Sequence, residues 1–409
     1  MLFAFIGFLV SVEAKVYFAE QFDYTWPQRW KYSTAHQEEN KAGKFTWERP
    51  PKYYHLEASK GLKTSQDERY YHISADIGET VTNFRKNLFI GFTVTQTQDI
   101  KCSGSYLKFF NEPFDQENFN GDTPFELMFG PDTCGSINDQ VHAIFRHEGR
   151  EQKSRARIRS KDDKETHLYA IKLYANGSYV LQTDIKKENW GEFQDQWGNW
   201  YTPRFVEDPD AEKPEEWDDR EEIPDPKDIK PADWDQPKYI PDPNATKMKD
   251  WNDTIDGEWR RPIIRNPLYH GEWIQKTIPN PMWMGPWQRP RVPNMQLTEE
   301  KERRQSIWFR YVAIDIWQVQ SGTIFDNIFI GDDEAEFDAF FNATFKKQRE
   351  VEEPGWEAEE LRRQADRKVR DKKKRDEKLQ KRYDLKLDDE EDIEVPKGDE
   401  DDEFYLNEF

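Results

Sequence analysis

The stretch SIWFRYVAIDIWQVQSGTIFDNIFI, residues 306–330, decides how the rest of the chain is interpreted. β-branched and aromatic residues dominate it, and it has the composition of buried strands. It follows a long proline-rich segment, yet it has the same pattern as the strands predicted near the N-terminus. We therefore predict that it completes a β-sandwich that the earlier strands begin.

Residues 15–200 alternate short β-branched and aromatic runs with polar turns and show no helical periodicity. Examples are KVYFAEQF, LFIGFTVTQTQ, SYLKFF, HAIFRHEG and the hairpin HLYAIKLYANGSYVLQTDI. In that hairpin the Asn176-Gly177 pair marks the turn, because Asn-Gly tolerates the left-handed backbone of a two-residue loop. The pattern predicts an all-β sandwich with the proline-rich segment inserted between two of its strands.

The inserted segment contains two tryptophan periods. Three tryptophans lie seventeen residues apart and three more lie fourteen apart: Trp217, Trp234 and Trp251, then Trp259, Trp273 and Trp287. Dense prolines exclude regular helices, because proline lacks an N–H and clashes with the preceding turn. Three long repeats followed by three short ones predict a hairpin arm whose paired repeats pack their tryptophans across it. The alternative is a disordered acidic linker, which does not account for six tryptophans in register.

Composition narrows the class of protein. The 409 residues carry a formal charge of −21, with 35% hydrophobic, 34% charged and 15% aromatic residues. This is too polar for one compact globule and too aromatic for general disorder, so a folded domain with extended charged segments fits best. The acidity argues against nucleic-acid binding, which needs a positive field, and suits proteins that bind calcium through carboxylates.

The N-terminus MLFAFIGFLVSVEAKVYF has an apolar run of signal-peptide length that is too short to span a bilayer. We expect cleavage after residues 1–14, with a buried N-terminal strand as the alternative, and no membrane span in the mature protein. The two cysteines, Cys102 and Cys134, most simply form one disulfide in an oxidising compartment. Two unrelated buried thiols are the other possibility.

The C-terminal part changes character. Residues 335–382 have a helical pattern that ends in a basic stretch, and we predict a long solvated helix that is broken near Pro354. The basic stretch could contact nucleic acid, but the predicted secretory address disfavours this. Residues 383–409 form an acidic tail that we expect to be disordered.

Together these features resemble the calreticulin and calnexin family of lectin chaperones. The resemblance is carried by YFAEQF, KGLKTSQDERYY, KCSGSYLKFF, ELMFGPDTCG, VHAIFRH, KPEEWDD, DGEW and IDIWQVQSGTIFDN. It implies a legume-lectin-like (concanavalin-type) β-sandwich from residues 15–205 and 296–345. It also implies an extended proline-rich hairpin arm over residues 206–295, a C-terminal helix and an acidic tail.

The resemblance also implies a site for the terminal glucose of monoglucosylated N-glycans. The matching positions are Tyr106, Lys108, Met128, Asp132, Ile144, Asp315 and Trp317. Carboxylates and a lysine would bind hydroxyl groups, and apolar groups would pack against the C–H face of the sugar. The family has a second tyrosine where this chain has Phe125, so one hydrogen bond is lost. Without the resemblance, polar residues on an exposed strand would be interpreted as an ordinary solvated face.

Further sites follow from the same resemblance. A family disulfide matches Cys102 and Cys134, and a structural Ca²⁺ site matches Gln21, Ala58, Lys60 and Asp326. Only Asp326 would supply a carboxylate there, the other three giving backbone carbonyls; Asp326 could otherwise simply begin a turn. The arm tip matches a docking site for a protein-disulfide-isomerase-type oxidoreductase at Asp256, Glu258 and Trp259. Thr254 replaces another acid of that site, and Trp259 could instead pack against its own arm. A family histidine falls on His142, where a structural role is favoured over catalysis.

We therefore expect a non-enzymatic, monomeric, calcium-binding lectin chaperone that holds unfolded glycoproteins in the endoplasmic reticulum lumen. A glycosidase would need two carboxylates about 5–9 Å apart across the scissile bond, and the β blocks show no such motif. The chain ends in YLNEF instead of a retention signal and has a short acidic tail, so secretion and reduced calcium storage are expected alternatives. A secreted calcium-binding interaction protein with weakened sugar binding is the second hypothesis.

Overall fold

The computed structural model describes residues 14–53, 60–135, 138–198, 200–252 and 254–390. At residues 138 and 382–390 only the backbone is described. The predicted signal peptide, Ala58 and most of the predicted acidic tail lie outside these ranges. The chain divides into two compact units, one made of the segments before Phe205 and after Asn294, and the other of Phe205–Asn294.

The first unit is built from strands on both sides of the insertion. Those before it are β1 (Val16–Glu20), β2 (Trp30–Tyr32), β3 (Phe45–Glu48), β4 (Gly61–Thr64), β5 (Arg69–Thr82), β6 (Leu88–Gln96), β7 (Cys102–Gly104), β8 (Leu107–Phe110), β9 (Leu127–Cys134), β10 (Asn138–His147), β11 (Arg150–Lys153), β12 (Thr166–Leu173), β13 (Ser178–Thr183) and β14 (Lys186–Glu192). Strands β15 to β20 belong to the second unit. The strands after it are β21 (Trp308–Gln318) and β22 (Thr323–Gly331).

Two eight-stranded sheets form in this part of the chain, and their strands pair antiparallel. The first sheet has the order β14-β13-β12-β6-β22-β4-β3, with β1 also paired to β22. The second has the order β11-β10-β9-β7-β21-β5-β2, with β8 paired to β21 and β9. The stretch 306–330 thus supplies an inner strand to each sheet, which confirms the predicted all-β sandwich.

Successive side chains of β21 point alternately into the core between the sheets and to the opposite face of the second sheet. Ile314 and Ile316 belong to the core between the sheets and are at most 2% exposed. Ala313 belongs instead to a cluster on the opposite face of the second sheet, because successive side chains of a strand point to opposite sides. Asp315 shares that face with Ala313. We call this face of the second sheet the outer face.

The helices near the C-terminus pack on the other side of the first sheet. The helices are α1 (Trp26–Arg29), α2 (Phe193–Trp197), α3 (Glu299–Arg304), α4 (Glu334–Phe341) and α5 (Lys347–Glu390), with a π-helical turn (Asn342–Lys346) between the last two. Phe337, Phe341 and Phe345 from α4 and the π turn pack on Phe89 and Phe329 of the sheet. Gly91 lies beneath this contact, where a Cβ would stand 2.8 Å from the Phe341 ring.

The predicted break near Pro354 was wrong. Helix α5 continues through Pro354 and runs past residue 382 to Glu390. Tertiary contacts flank the proline: Glu352 accepts from the Thr166 N–H at 3.3 Å, and Trp356 packs edge-on against Tyr53 at 5.0 Å. These contacts hold the helix on both sides of a proline that costs about 3 kcal/mol in isolation. None of the described helices combines the length and apolar character needed to cross a bilayer.

The second unit is the predicted hairpin arm. Its strands are β15 (Phe205–Glu207), β16 (Glu222–Pro224), β17 (Tyr239–Pro241), β18 (Ile263–Arg265), β19 (Thr277–Pro279) and β20 (Arg291–Pro293). They pair antiparallel as β15–β20, β16–β19 and β17–β18. Each tryptophan of the long repeats donates its indole N–H to a glycine carbonyl of the paired short repeat: Trp217 to Gly285, Trp234 to Gly271 and Trp251 to Gly257. The spacing of the tryptophans in the sequence is therefore the spacing of the paired repeats along the arm.

Candidate functional site

A buried ion pair lies at the centre of the outer face. The Nζ of Lys108 on β8 donates to Oδ2 of Asp315 on β21 at 2.7 Å. The two side chains are only 5% and 1% exposed. A buried ion pair of this kind is stable only when the remaining polar atoms of both side chains also have hydrogen-bond partners. Lys108 additionally lies 3.3 Å from the carbonyl of Gly121, and the other Asp315 oxygen lies 2.7 Å from Nδ1 of His72.

The sheet register brings three of the predicted carbohydrate residues into one row. Ile144 lies opposite Met128, Met128 opposite Lys108, and Lys108 opposite Ala313. Directly opposed residues share a face of the sheet and stand about 5 Å apart. The row therefore runs across β10, β9, β8 and β21, and Asp315 follows Ala313 by two positions on the same face.

Tyr106 and Asp132 lie at one side of this row. Asp132 is opposite Gly104 in the β7–β9 pair, and the Tyr106 ring lies against Gly104, where a Cβ would approach to 2.6 Å. Burial raises the pKa of Tyr106, and the charges of Asp132 and Asp315 raise it further. The phenol therefore stays protonated and can donate a hydrogen bond.

The charge of Asp315 is stabilised despite its burial. Burial on its own would raise the pKa of this carboxyl, but contacts with His72 and Lys108 outweigh it and hold the pKa below its ordinary value. Asp132 is half-buried and lies 3.4 Å from Nε2 of His142. The site thus presents a fixed carboxylate and ammonium beside a more accessible carboxylate.

Aromatic and aliphatic side chains form the apolar part of the outer face. Phe125, Met128 and Ile144 are 4–9% exposed and share a cluster with Phe119 and Ala313. The Lys108 ammonium stands 5.3 Å from the centre of the Phe125 ring. Trp317 is partly buried two positions beyond Asp315, with its ring 4.4 Å from that of Tyr70. All eight predicted carbohydrate positions are thus on or beside this face.

Two residues of β5 that were not predicted from the sequence also belong to this site. His72 lies opposite Asp315 and Tyr70 opposite Trp317 in the β5–β21 register. The alternation Tyr70-x-His72 was a weak signal that gains meaning only when β5 is known to pair with β21.

The predicted disulfide is confirmed. Cys102 and Cys134 are bonded and lie opposite each other on β7 and β9. The bond stands two positions from the Gly104–Asp132 pair and links the strands that carry Asp132 and lead into Tyr106.

A sequence model of the calreticulin family matches residues 18–256 and 256–330. Calreticulin from Onchocerca volvulus is 45% identical over 343 residues, which span 84% of this chain and 87% of that protein. The chain belongs to the calreticulin family. Calreticulin from Mus musculus is 47% identical over 339 residues, covering 82% of this chain and 80% of the mouse protein. The solved globular domain of T. cruzi calreticulin matches with a TM-score of 0.54 and 26% identity, covering 85% of this chain and 99% of that domain.

Asp326 is the only carboxylate in the predicted calcium site, and its surroundings indicate whether it suits a cation. Both carboxylate oxygens of this residue are buried, and neither makes a hydrogen bond to the described residues. Burial raises the pKa of Asp326 well above its ordinary value, and the nearby charge of Glu20 adds to the effect. A cation with oxygen ligands would remove this penalty, so the residue fits a Ca²⁺ ligand.

The topology places two of the other positions predicted for calcium near Asp326. Gln21 directly follows β1, whose Glu20 lies opposite Ile328 of β22. Lys60 directly precedes β4, whose Leu62 lies opposite Phe325. The described residues contain no group of three or more histidine, cysteine or acidic side chains suited to a metal. A site at Asp326 would therefore depend on backbone carbonyls, while Ala58 lies outside the described residues.

The residues predicted to dock an oxidoreductase, Asp256, Glu258 and Trp259, lie between β17 and β18. Asp256 accepts a hydrogen bond from the Asn252 N–H at 3.0 Å, so its carboxylate also caps the turn. Glu258 is exposed and lies 3.5 Å from Arg260, and Trp259 is partly buried. Thr254 is exposed beside them.

Proposed function

We propose that this member of the calreticulin family is a lectin chaperone that binds monoglucosylated N-glycans on its outer face. Family membership supports a lectin chaperone role in general. The single observation that carries the specific proposal is the convergence of Tyr106, Lys108, Asp132 and Asp315 beside an apolar floor. Charged hydrogen-bonding groups next to an apolar surface match the two sides of a hexose ring.

Each group has a separate role in this proposal. Asp132 is the more accessible carboxylate and would accept hydrogen bonds from sugar hydroxyls, while Tyr106 would donate one. The Lys108–Asp315 pair is already formed, so it offers its remaining donor and acceptor positions in a fixed geometry at little entropic cost. Met128, Ile144 and Phe125 would lie against sugar C–H groups, and Trp317 would extend the platform.

Calcium would act as a structural ion at Asp326. The carboxylate of Asp326 and the backbone carbonyls of Gln21, Ala58 and Lys60 would hold it, and its charge would compensate a buried carboxylate. Because Asp326 lies on β22 near the centre of the first sheet, calcium would stabilise the sandwich as a whole.

The arm tip would bind the second partner. Asp256, Glu258 and Trp259 combine acidic groups with an aromatic ring, which suits a basic surface on a protein-disulfide-isomerase-family oxidoreductase. The chain would then act as a monomer in the endoplasmic reticulum lumen and present unfolded glycoproteins to that enzyme.

A secreted calcium-binding interaction protein is the second candidate, and Phe125 favours it because the family tyrosine hydroxyl is lost there. Calorimetry with excess calcium separates the two. The lectin chaperone binds a monoglucosylated oligomannose and not its glucose-free counterpart, and Asp132→Ala abolishes binding. Asp366→Ala on the exposed part of α5 is the matched control and should bind like wild type. Equal or absent binding of the two glycans would reject the lectin role.

A further inference from the structure

Four asparagines of the chain lie in Asn-x-Ser/Thr sequences in which x is not proline: Asn176, Asn244, Asn252 and Asn342. Such a sequence is the acceptor for N-linked glycosylation, which adds a bulky hydrophilic group and therefore needs space at the surface. All four asparagines are exposed. The surroundings of each asparagine decide what a glycan would do there.

Two of these asparagines lie in the first unit. Asn176 is in the turn that joins β12 to β13, and its Oδ1 accepts from the Ser178 N–H at 2.9 Å. Asn342 begins the π-helical turn, where the Thr344 hydroxyl donates to the Phe340 carbonyl at 2.8 Å. Neither asparagine belongs to the candidate carbohydrate site or to the predicted docking residues, so a glycan there would not act directly on either.

The other two asparagines lie in the connection between β17 and β18 of the arm. Asn244 comes soon after β17, and its N–H donates to the Asp242 carboxylate at 2.9 Å. Asn252 lies further along, in the same turn as Asp256 and next to Glu258. Asn252 is therefore the acceptor position that adjoins the residues predicted to dock an oxidoreductase.

Two hydrogen bonds close the turn around Asn252. The Trp251 indole N–H donates to the Gly257 carbonyl at 2.9 Å, and the Asn252 N–H donates to Oδ2 of Asp256 at 3.0 Å. Asn252 follows one partner of the first bond in the chain, and Glu258 follows the other. The acceptor asparagine and the docking glutamate are thus attached on the two sides of one hydrogen bond.

The carboxamide of Asn252 has a defined orientation. Its Oδ1 accepts from the Thr254 N–H at 3.0 Å, which makes an Asx turn. Nδ2 is on the opposite side of the amide and is therefore turned away from that N–H. Thr254, which completes the acceptor sequence, is exposed as well. A sugar on Nδ2 would leave the hydrogen bonds of the turn in place.

We propose that Asn252 carries an N-linked glycan, and that this glycan and the oxidoreductase exclude each other at the turn. The proposal rests on the proposed function for the secretory address and the docking partner. In the transfer, Nδ2 forms a bond to the anomeric carbon of an oligosaccharide that is carried on a polyprenyl diphosphate. The bond from that carbon to the diphosphate oxygen breaks, the diphosphate leaves with the electron pair, and the Nδ2 proton passes to a base of the transferase.

The exclusion follows from the size of the glycan and from where it is attached. An N-linked oligosaccharide is bulky and hydrated, so it occupies the solvent around its attachment point. A basic surface must cross the same solvent to reach the carboxylates of Asp256 and Glu258. The chain without a glycan at Asn252 is therefore the form that recruits the oxidoreductase.

The first measurement asks whether Asn252 is modified. The full chain is produced in a eukaryotic cell line and treated with a peptide N-glycosidase in oxygen-18-labelled water, which converts a glycosylated asparagine into labelled aspartate. Trypsin then releases residues 250–260, in which Asn252 is the only asparagine. We expect the label in wild type and in Thr254→Ser, which keeps the acceptor sequence, and no label in Thr254→Ala.

The second measurement is the affinity of these proteins for a protein-disulfide-isomerase-type oxidoreductase, by calorimetry. Thr254→Ala keeps the backbone N–H that binds Asn252, so the turn is retained. We expect Thr254→Ala to bind at least about 10-fold more tightly than glycosylated wild type and Thr254→Ser. The same three proteins from the bacterial periplasm, where this glycan is not added, should bind alike, which controls for the side chain itself.

Other outcomes overturn the proposal. Label at other acceptor asparagines and none at Asn252 would reject the site and leave the secretory address intact. No label at any of the four would reject both the site and the proposed location in the endoplasmic reticulum lumen. Equal affinities of glycosylated wild type and Thr254→Ala would reject the exclusion. If no form bound the oxidoreductase, the docking proposed for Asp256, Glu258 and Trp259 would be rejected, and the exclusion with it.

Discussion

The side chains of Lys108 and Asp315 form a buried ion pair with Nζ 2.7 Å from Oδ2, although 207 positions separate the residues in the chain. The segment between them includes the entire arm, so the pair exists only when β8 and β21 lie side by side. It links the two halves of the sandwich at the point where we propose that sugar binds. Stability and binding are therefore connected at this pair.

Removing Asp315 from the pair should lower both the stability of the fold and its affinity for glycan. Asp315→Ala leaves the Lys108 ammonium buried without its partner, which destabilises a fold by about 3–5 kcal/mol. We expect this loss in the free energy of unfolding by urea, together with loss of glycan binding. Asp132→Ala, at a half-buried position, should abolish binding at a cost below about 1 kcal/mol. Similar stabilities for the two variants would contradict the importance of the buried pair.

Restoring the missing hydroxyl should strengthen binding. Phe125 is 6% exposed and its ring lies under the Lys108 ammonium. In Phe125→Tyr a new hydroxyl could bind the sugar, and we expect an increase in glycan affinity of about 2- to 10-fold by calorimetry. Phe114→Tyr, on the same cluster but outside the predicted site, is the control and should leave the affinity unchanged. Weaker binding by Phe125→Tyr would show that no acceptor or donor of the sugar lies near this ring.

Calcium should stabilise the sandwich through Asp326. The pKa of this carboxyl is raised by burial, so in the absence of metal the folded state favours the protonated form and stability increases as pH falls through that pKa. Calcium binds the ionised form, so its stabilising effect should decrease over the same fall in pH. At neutral pH a calcium concentration of 100 times Kd should add about 2.7 kcal/mol to the free energy of unfolding. Asp326→Asn should abolish the calcium effect, whereas Asp366→Ala should retain it; an unchanged effect in Asp326→Asn would place the ion elsewhere.

His167 should make stability decline at alkaline pH. Its ring lies between Asp163 at 2.7 Å and Asp184 at 3.0 Å. Burial alone would lower the pKa of His167, but these two carboxylates outweigh it and raise the pKa to about 9. Because the folded pKa is the higher one, the stabilisation is fully present below the unfolded value of about 6.5 and is lost as pH rises through about 9.

Arg349 of α5 also faces both carboxylates, so part of their charge is compensated without His167. We expect His167→Gln to be less stable than wild type by on the order of 3 kcal/mol at pH 6, with the difference shrinking by pH 10. His270→Gln in the arm controls for general effects of losing a histidine. A difference that did not vary with pH would indicate that His167 contributes packing alone.

Local sequence was sufficient for the elements that depend on near neighbours. The Asn176-Gly177 turn joins β12 to β13, with Gly177 at a φ of 91°. The tryptophan periods predicted the hairpin arm, because each pair of repeats has the same short-range sequence pattern. Local sequence failed at Pro354, where a break in the helix was predicted. Glu352 and Trp356 contact residues far away in the sequence, and these contacts keep the helix intact.

The sequence by itself determined the composition of each surface: which strands alternate, where the arm begins and which cysteines were available to bond. Only the tertiary structure decided that His72 contacts Asp315 and that Asp326 is buried with no hydrogen-bond partner among the described residues. The physical reason is that strand alternation specifies which face a side chain occupies, but not which strand lies beside it. Which strands pair in these sheets depends on the burial of side chains on both faces. Strands that pair can be separated by hundreds of residues in the chain.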